Sequence, residues 1–235
     1  MISKFSKRIK TCALCGGKGY TEKLVEGGVY LDDCECVKSI ELEAKWYKSG
    51  IPVQYWNFDM SALTKEFREK NAGSLGEVNR YVDNLKDNIE SGKGLLFSSS
   101  AGLGKSSIMS YILRKSTDLG FNAYYLRASH MVSLKFNALR DRDAADLINH
   151  VVEDVDILAI EEIEKVYLSD ENAMNNQLFY EFLSDLYDSK KSLLVSSNKK
   201  PNESFLALPT FIQDRLRNLK KVVFVGKSGR VDIQQ

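Results

Sequence analysis

Leu95-Leu96-Phe97-Ser98-Ser99-Ser100-Ala101-Gly102-Leu103-Gly104-Lys105-Ser106-Ser107-Ile108-Met109 sets the class of the fold. Leu95 to Phe97 is a short apolar run and reads as a buried strand. A loop of small residues comes next, then Gly-Lys-Ser, then an apolar helix opening Ile108-Met109-Ser110-Tyr111-Ile112-Leu113. Strand, glycine loop, Gly-Lys-Ser and helix in that order form the context a phosphate-cradling loop requires. Gly102 and Gly104 let the backbone of Ser99 to Ser107 curl so that its N–H groups face a phosphate, and the helix N-terminus adds its dipole. Lys105 is expected to reach the β- and γ-phosphates of ATP and Ser106 to place its hydroxyl on Mg²⁺. The pattern G-x-x-x-x-G-K-[ST] has glycine where this chain has Ser99, so the first turn is expected to hold serine at some strain.

On either side of this loop, apolar strands alternate with helices. The strand candidates are Leu95–Phe97, Ala123–Leu126, Ile157–Ile160, Leu193–Val195 and Val222–Val225. Leu178, Phe179, Phe182, Leu183, Leu186 and Tyr187 form a helical stripe that reads as core. This alternation implies an α/β fold, a parallel sheet covered by helices. Upstream, Ser74-Leu75-Gly76-Glu77 reads as a capping box opening a helix that Gly92 closes. Ile51-Pro52-Val53-Gln54-Tyr55-Trp56-Asn57-Phe58 reads as an extended aromatic segment packed on the domain after it.

The third strand ends Ile160-Glu161-Glu162-Ile163. Carboxylates at the C-terminal end of a buried strand lie where open α/β sheets hold ligands. Glu161 is expected on Mg²⁺ and Glu162 on the attacking water. The fourth strand ends in Asn198, an amide placed to meet the γ-phosphate. Arg215 and Arg230 bracket a segment free of acids, and two arginines near a phosphate would neutralise transition-state charge.

All four cysteines lie near the N-terminus: Cys12, Cys15, Cys34 and Cys36. Two Cys pairs flanking a hairpin over Thr21–Asp33 can set four sulfurs around Zn²⁺. The two histidines, His130 and His150, are far downstream, so an all-sulfur site is expected. Helix 37–48 comes after the second pair. The domain reading is 1–48 for a zinc-binding module, 49–73 for a linker packing on the next domain, and 74–235 for the nucleotide-binding domain.

The net charge of +1 excludes a protein coated in positive charge, so any nucleic-acid contact must be local. One candidate is Ser129–Arg142, with Lys135, Arg140 and Arg142 beside Phe136. No apolar run approaches the about 20 residues of a membrane helix, and the first residues lack a secretory signal. A cytoplasmic location without membrane contact is expected.

Together these residues resemble the DnaC/DnaI-type replicative helicase loaders, a branch of the AAA+ ATPases close to the IstB transposition helpers. The resemblance spans nearly the whole chain. Its residues are the C-x-x-C-x-G-x-G-Y opening at Cys12 and the Cys34-Glu35-Cys36 closure, Ile51 to Phe58, Ser99 to Ser106, Ile157 to Glu162, Asn198, Asp214-Arg215-Leu216, and Phe224 with Arg230. Two positions depart from the pattern, Ser99 for glycine and Glu161 for aspartate, and they bear on hydrolysis rate. The resemblance implies an AAA+ core without a large helical lid. It implies an ATPase that binds the hexameric replicative helicase through the zinc module and delivers it onto single-stranded DNA. It also implies self-association through ATP interfaces, with Arg215 acting on a neighbour's ATP and Arg230 on the subunit's own. A transposition helper and a nucleotide-sensing, non-hydrolysing adaptor are the competing readings.

Overall fold

The computed structural model describes residues 10–166, 173–199 and 209–227. The chain divides into two compact units, Met1–Lys48 and Ser49–Gln235.

The first unit is small. Strands β1 (Tyr20–Val25) and β2 (Gly28–Asp33) pair antiparallel from Tyr20↔Asp33 to Val25↔Gly28. Glu26 and Gly27 make the two-residue turn, and Gly27 sits at φ +108°, a region open to glycine. Helix α1 (Glu35–Lys48) comes next and buries none of its residues. Among the described residues of this unit, Cys15 and Cys34 alone are buried.

The second unit carries a five-stranded, all-parallel sheet: β3 (Leu95–Ser98), β4 (Ala123–Arg127), β5 (Ile157–Glu161), β6 (Ser192–Ser197) and β7 (Lys220–Val223), in the spatial order β4-β5-β6-β3-β7. Every residue of β3, β5 and β6 is buried, as befits parallel strands covered on both faces. The α/β expectation is met. The helices are α2 (Lys65–Lys70), α3 (Ala72–Asp83), α4 (Leu85–Glu90), α5 (Lys105–Asp118), α6 (Ala128–Asn137), α7 (Arg142–Glu153), α8 (Ala173–Asp188) and α9 (Thr210–Leu216). The stripe read on α8 is core: Phe179, Phe182, Leu183 and Leu186 have no exposed surface.

Four local expectations change. The Ser74 capping box is absent, because α3 begins at Ala72 behind Asn71 and Ser74 Oγ instead donates to the Val223 carbonyl at 2.6 Å. Asn71 is engaged elsewhere: its Nδ2 donates to Val225 O at 3.0 Å and its Oδ1 accepts from Val225 N at 2.8 Å. The single helix read to Gly92 breaks at Asn84, whose side chain donates to the Arg80 carbonyl at 2.9 Å. Residues 51–58 are not extended. Val53–Tyr55 form a 3₁₀ turn behind Pro52, and Trp56 Nε1 donates to Ile51 O at 2.9 Å. The last strand lies two residues earlier than read, since its register pairs Leu95 with Lys220 and Ser98 with Val223. Its lysines sit exposed on a sheet edge, a place where lysine discourages further strand pairing.

The strand order brings the C-terminal ends of β3, β5 and β6 side by side. Close approach fixes the entry to β3: a Cβ on Gly94 would lie 2.0 Å from the Leu193 carbonyl oxygen.

Candidate functional site

A cavity of about 600 Å³ opens at these strand ends. The loop after β3 lines it with Ala101 to Ser107, the end of β5 with Glu161 and Glu162, and β6 with Ser196 and Asn198. Ser99 and Ser100, expected in the cradle, are not among the lining residues; they meet Lys105 from behind. Its Nζ donates to Ser99 O at 2.8 Å, to Ser99 Oγ at 3.1 Å and to Ser100 O at 3.0 Å. Gly102 and Gly104 take φ values of +81° and +78°. Gly104 caps α5 without a side chain, so the helix's first N–H groups face the loop.

The strain expected at Ser99 is not there. Among described residues the non-glycine positions with positive φ are Glu162 and Lys190, so serine at 99 keeps an ordinary backbone. Its hydroxyl even serves Lys105.

Glu161 closes β5 and is buried. The Tyr125 phenol meets both the Glu161 carboxylate and the Ser106 hydroxyl, and burial, with the Glu161 charge second, pushes its pKa up. Ser106, Glu161 and Tyr125 thus converge, and the first two are the residues expected to hold Mg²⁺. Sequence reasoning missed Tyr125; the pattern marks it only as a strand residue.

Glu162 stands at φ 56°, ψ 49°. A left-handed glutamate costs about 1–3 kcal/mol and persists where its surroundings over-determine it. Here they do: its N–H donates to Ser196 Oγ at 3.3 Å, its Oε1 accepts from Asn198 Nδ2 at 3.4 Å, and its Oε2 pairs with Lys165 Nζ at 2.7 Å. Burial pushes the carboxyl up, but the Lys165 bond and charge, the Arg127 charge and the Asn198 amide outweigh it and hold its pKa below the usual value.

Arg215 is not among the cavity's lining residues. It lies on α9 against α8, with Nε 3.4 Å from Ser184 Oγ and the guanidinium 4.9 Å from the Tyr187 ring. Arg230 lies outside the described residues. Lys135, read as a nucleic-acid contact, is engaged internally: it pairs with Asp185 at 3.0 Å and lies over Phe182. The cation is taken up in joining α6 to α8.

The segment before the domain also reaches the cavity. Tyr55, Leu63, Thr64, Phe67 and Lys70 line it, together with Val225, Gly226 and Lys227 from the far end of the chain. Of these, Tyr55, Leu63, Phe67 and Val225 give the cavity an apolar stretch of wall that suits a flat base. The aromatic run near residue 55 is the sequence signal, and alone it indicates only packing.

In the first unit the four cysteine sulfurs lie within 4.8 Å of one another. Cys12 Sγ is 3.8 Å from Cys34 Sγ, and Cys15 Sγ is 3.8 Å from Cys36 Sγ. Tetrahedral ligation at about 2.3 Å puts sulfurs about 3.8 Å apart, so the spacing fits zinc. The Gly19 N–H donates to Cys15 Sγ at 3.3 Å and, against burial, draws that thiol down to about 6, while burial and the neighbouring thiols push Cys36 up to about 12. Among the described residues no helix is long and apolar enough to cross a membrane.

Comparison with known proteins agrees with this geometry. The structure is similar to the replication initiator DnaA bound to AMPPCP and single-stranded DNA, with 16% identity over 75% of this chain and a TM-score of 0.58. This chain spans about half, 51%, of that DnaA chain. It is similar to the DnaC helicase loader at 19% identity, covering 74% of this chain and 100% of that one, with a TM-score of 0.61. DnaI matches at 14% identity over 74% of this chain and 94% of its own, with a TM-score of 0.59. These likenesses show a shared fold. Residues 75–222 match the bacterial DnaA ATPase domain, so the chain belongs to that ATP-binding P-loop family.

Proposed function

We propose that the protein is an ATP-dependent loader that binds the hexameric replicative helicase and delivers it onto single-stranded DNA as replication begins. The observation that carries the nucleotide part is the convergence of Lys105, Ser106, Glu161, Glu162 and Asn198 on one cavity. Backbone N–H groups of the Ala101–Ser107 loop and Lys105 bind the phosphates. Ser106 and Glu161 would hold Mg²⁺, which would supply charge neutralisation at the phosphate oxygens. Glu162, steadied by Asn198, orients and polarises the attacking water. Tyr55, Leu63 and Phe67 enclose the base.

The loader part draws support from two features. The shared fold with DnaC extends over the whole of that helicase-loader chain. The N-terminal unit, 1–48, is built around a cysteine cluster that fits zinc and shows an apolar hairpin face: Leu24, Val29 and Leu31 share one side of the ladder and are exposed. That face suits a protein partner and is assigned to the helicase. Residues 49–73 then belong with the ATPase wall, and 74–235 form the ATPase proper.

Arg215 lies outside the cavity of its own subunit, which supports a role on a neighbour's ATP in a side-by-side assembly. An arginine supplied in trans is worth about 10³–10⁵ in rate. The test mixes Arg215→Ala with Glu162→Gln. Each alone is expected to bind ATP and fail to turn it over, while the mixture recovers partial activity at interfaces that hold both intact groups. Absence of rescue on mixing removes the trans assignment. Co-purification with a hexameric helicase through residues 1–48 tests the partner, and its failure removes the loader reading.

A further inference from the structure

A buried amide outside the cavity fixes part of its wall. Asn71 stands at the break between α2 and α3, is 3% exposed and does not line the cavity itself. Its Nδ2 donates to Phe67 O at 2.9 Å and to Val225 O at 3.0 Å, and its Oδ1 accepts from Val225 N at 2.8 Å. These bonds use both amide hydrogens and the carbonyl oxygen. At the N-terminus of a helix an asparagine side chain ordinarily caps the first N–H groups, yet Asn71 makes no cap bond to α3. Its amide is given over instead to a residue 154 positions further along the chain.

The segment it grips is Phe224–Lys227, just past β7. Phe224 N donates to Ser98 O at 3.3 Å, and its buried ring lies 5.5 Å from the Phe67 ring and 6.1 Å from the Phe97 ring. Core packing thus seats the first residue of the run. The ladder of β7 ends at Val223. At Val225 the Asn71 amide takes both main-chain groups, as a neighbouring strand would. Gly226, at φ +145°, then passes the phosphate loop, where a Cβ would lie 3.7 Å from Leu103 Cδ2. Val225, Gly226 and Lys227 all line the nucleotide cavity.

Asn71 therefore bonds to both sides of the apolar wall, Phe67 on α2 and Val225 on the run. The Ala101–Ser107 loop forms another part of the lining. Without the amide, the Val225 N–H and C=O would turn to water for partners, and the run would regain the chain entropy that its fixed position costs. The wall would then open on the side of the base and leave the phosphate loop as it is.

We propose that Asn71 is a positioning residue for nucleotide affinity: through Val225 it holds the Phe224–Lys227 run against α2 and keeps the base side of the cavity closed. The inference rests on the reading of this cavity as the nucleotide site, with the base against Tyr55, Leu63 and Phe67.

The experiment is calorimetry of the full chain with ATP and with inorganic tripolyphosphate, which carries phosphates without the base. Asn71→Ala is expected to raise Kd for ATP about tenfold, the size of one hydrogen bond's net contribution, and to leave Kd for tripolyphosphate unchanged. Ser74→Ala removes a bond from α3 to Val223 O, a residue the sheet already holds, and should leave both affinities as they are. Equal weakening of ATP and tripolyphosphate in Asn71→Ala, or no weakening of ATP, overturns the inference. So does a Ser74→Ala protein that loses ATP affinity as strongly as Asn71→Ala. The Val225 side chain is 54% exposed, so a second pair of variants spares the core. Val225→Pro removes the N–H that Asn71 accepts, and Val225→Ala keeps it. Val225→Pro should bind ATP more weakly than Val225→Ala, and equal affinity overturns the inference even if Asn71→Ala does not fold. A parent protein that binds tripolyphosphate as tightly as ATP overturns instead the reading of the base wall, and one that binds neither overturns the reading of the cavity.

Discussion

The two units of this chain are held together by different physics. In the ATPase unit Phe97, Phe179, Phe182, Ile108 and Leu158 are fully buried, and the central strands bury every residue. In the N-terminal unit the hairpin and α1 bury nothing; among described residues Cys15 and Cys34 alone are shielded. A segment of this size cannot build a core that offsets the entropy of ordering it. Its cohesion must come from a few strong bonds at one point, and a zinc ion held by the four cysteines would supply them without apolar area. The difference also leaves apolar side chains of the small unit exposed. Leu24, 89% exposed, would be core in the other unit.

Metal removal tests this contrast most severely. Stripping zinc with a chelator should abolish amide-exchange protection across β1 and β2 while β3, β5 and β6 keep theirs. Hairpin protection that persists in protein shown to be zinc-free would mean that something other than the metal holds the unit. Next in size is the core of the larger unit. Phe182→Ala removes a fully buried ring from the core cluster that α8 shares with Leu96, Leu158 and Val195 and should cost about 3–5 kcal/mol by denaturant unfolding. A loss below about 1 kcal/mol would show that the apolar core is not the source of its cohesion. The smallest effect belongs to the hairpin face. Leu24→Ser should change stability by less than about 0.5 kcal/mol, because the side chain is in water already. Calorimetry of the holo-protein reads it, and a clear destabilisation would reveal a contact for Leu24. The same variant should weaken helicase capture if the exposed face is the docking surface.

Much of the site is legible in the sequence because its geometry is local. Strand, loop and helix are contiguous around Lys105, and the glycines needed for the left-handed turns at 102 and 104 stand in the loop itself. Glu161 and Glu162 are legible because the end of a buried strand can be read from its apolar run. What escapes is side-chain conformation across elements. The 3₁₀ turn that returns Lys165 to Glu162 depends on Glu162's left-handed backbone, which no residue type announces. Lys135 reads as a free cation and proves to be paired with Asp185, a partner on another helix.

The amino-acid sequence suffices for the α/β class, the phosphate loop, the acidic strand end and the cysteine pairs. Each is a short-range pattern whose spacing carries the chemistry. The strand order β4-β5-β6-β3-β7 is a product of tertiary packing. So are the arrival of the 55–70 segment at the cavity wall and the contact of Tyr125 with Glu161 and Ser106. Packing also seats Arg215 on α8, outside its own subunit's cavity. These contacts join residues far apart in the chain. Which of them form is settled by how helices and strands bury their apolar faces against one another, and spacing along the chain does not encode that choice.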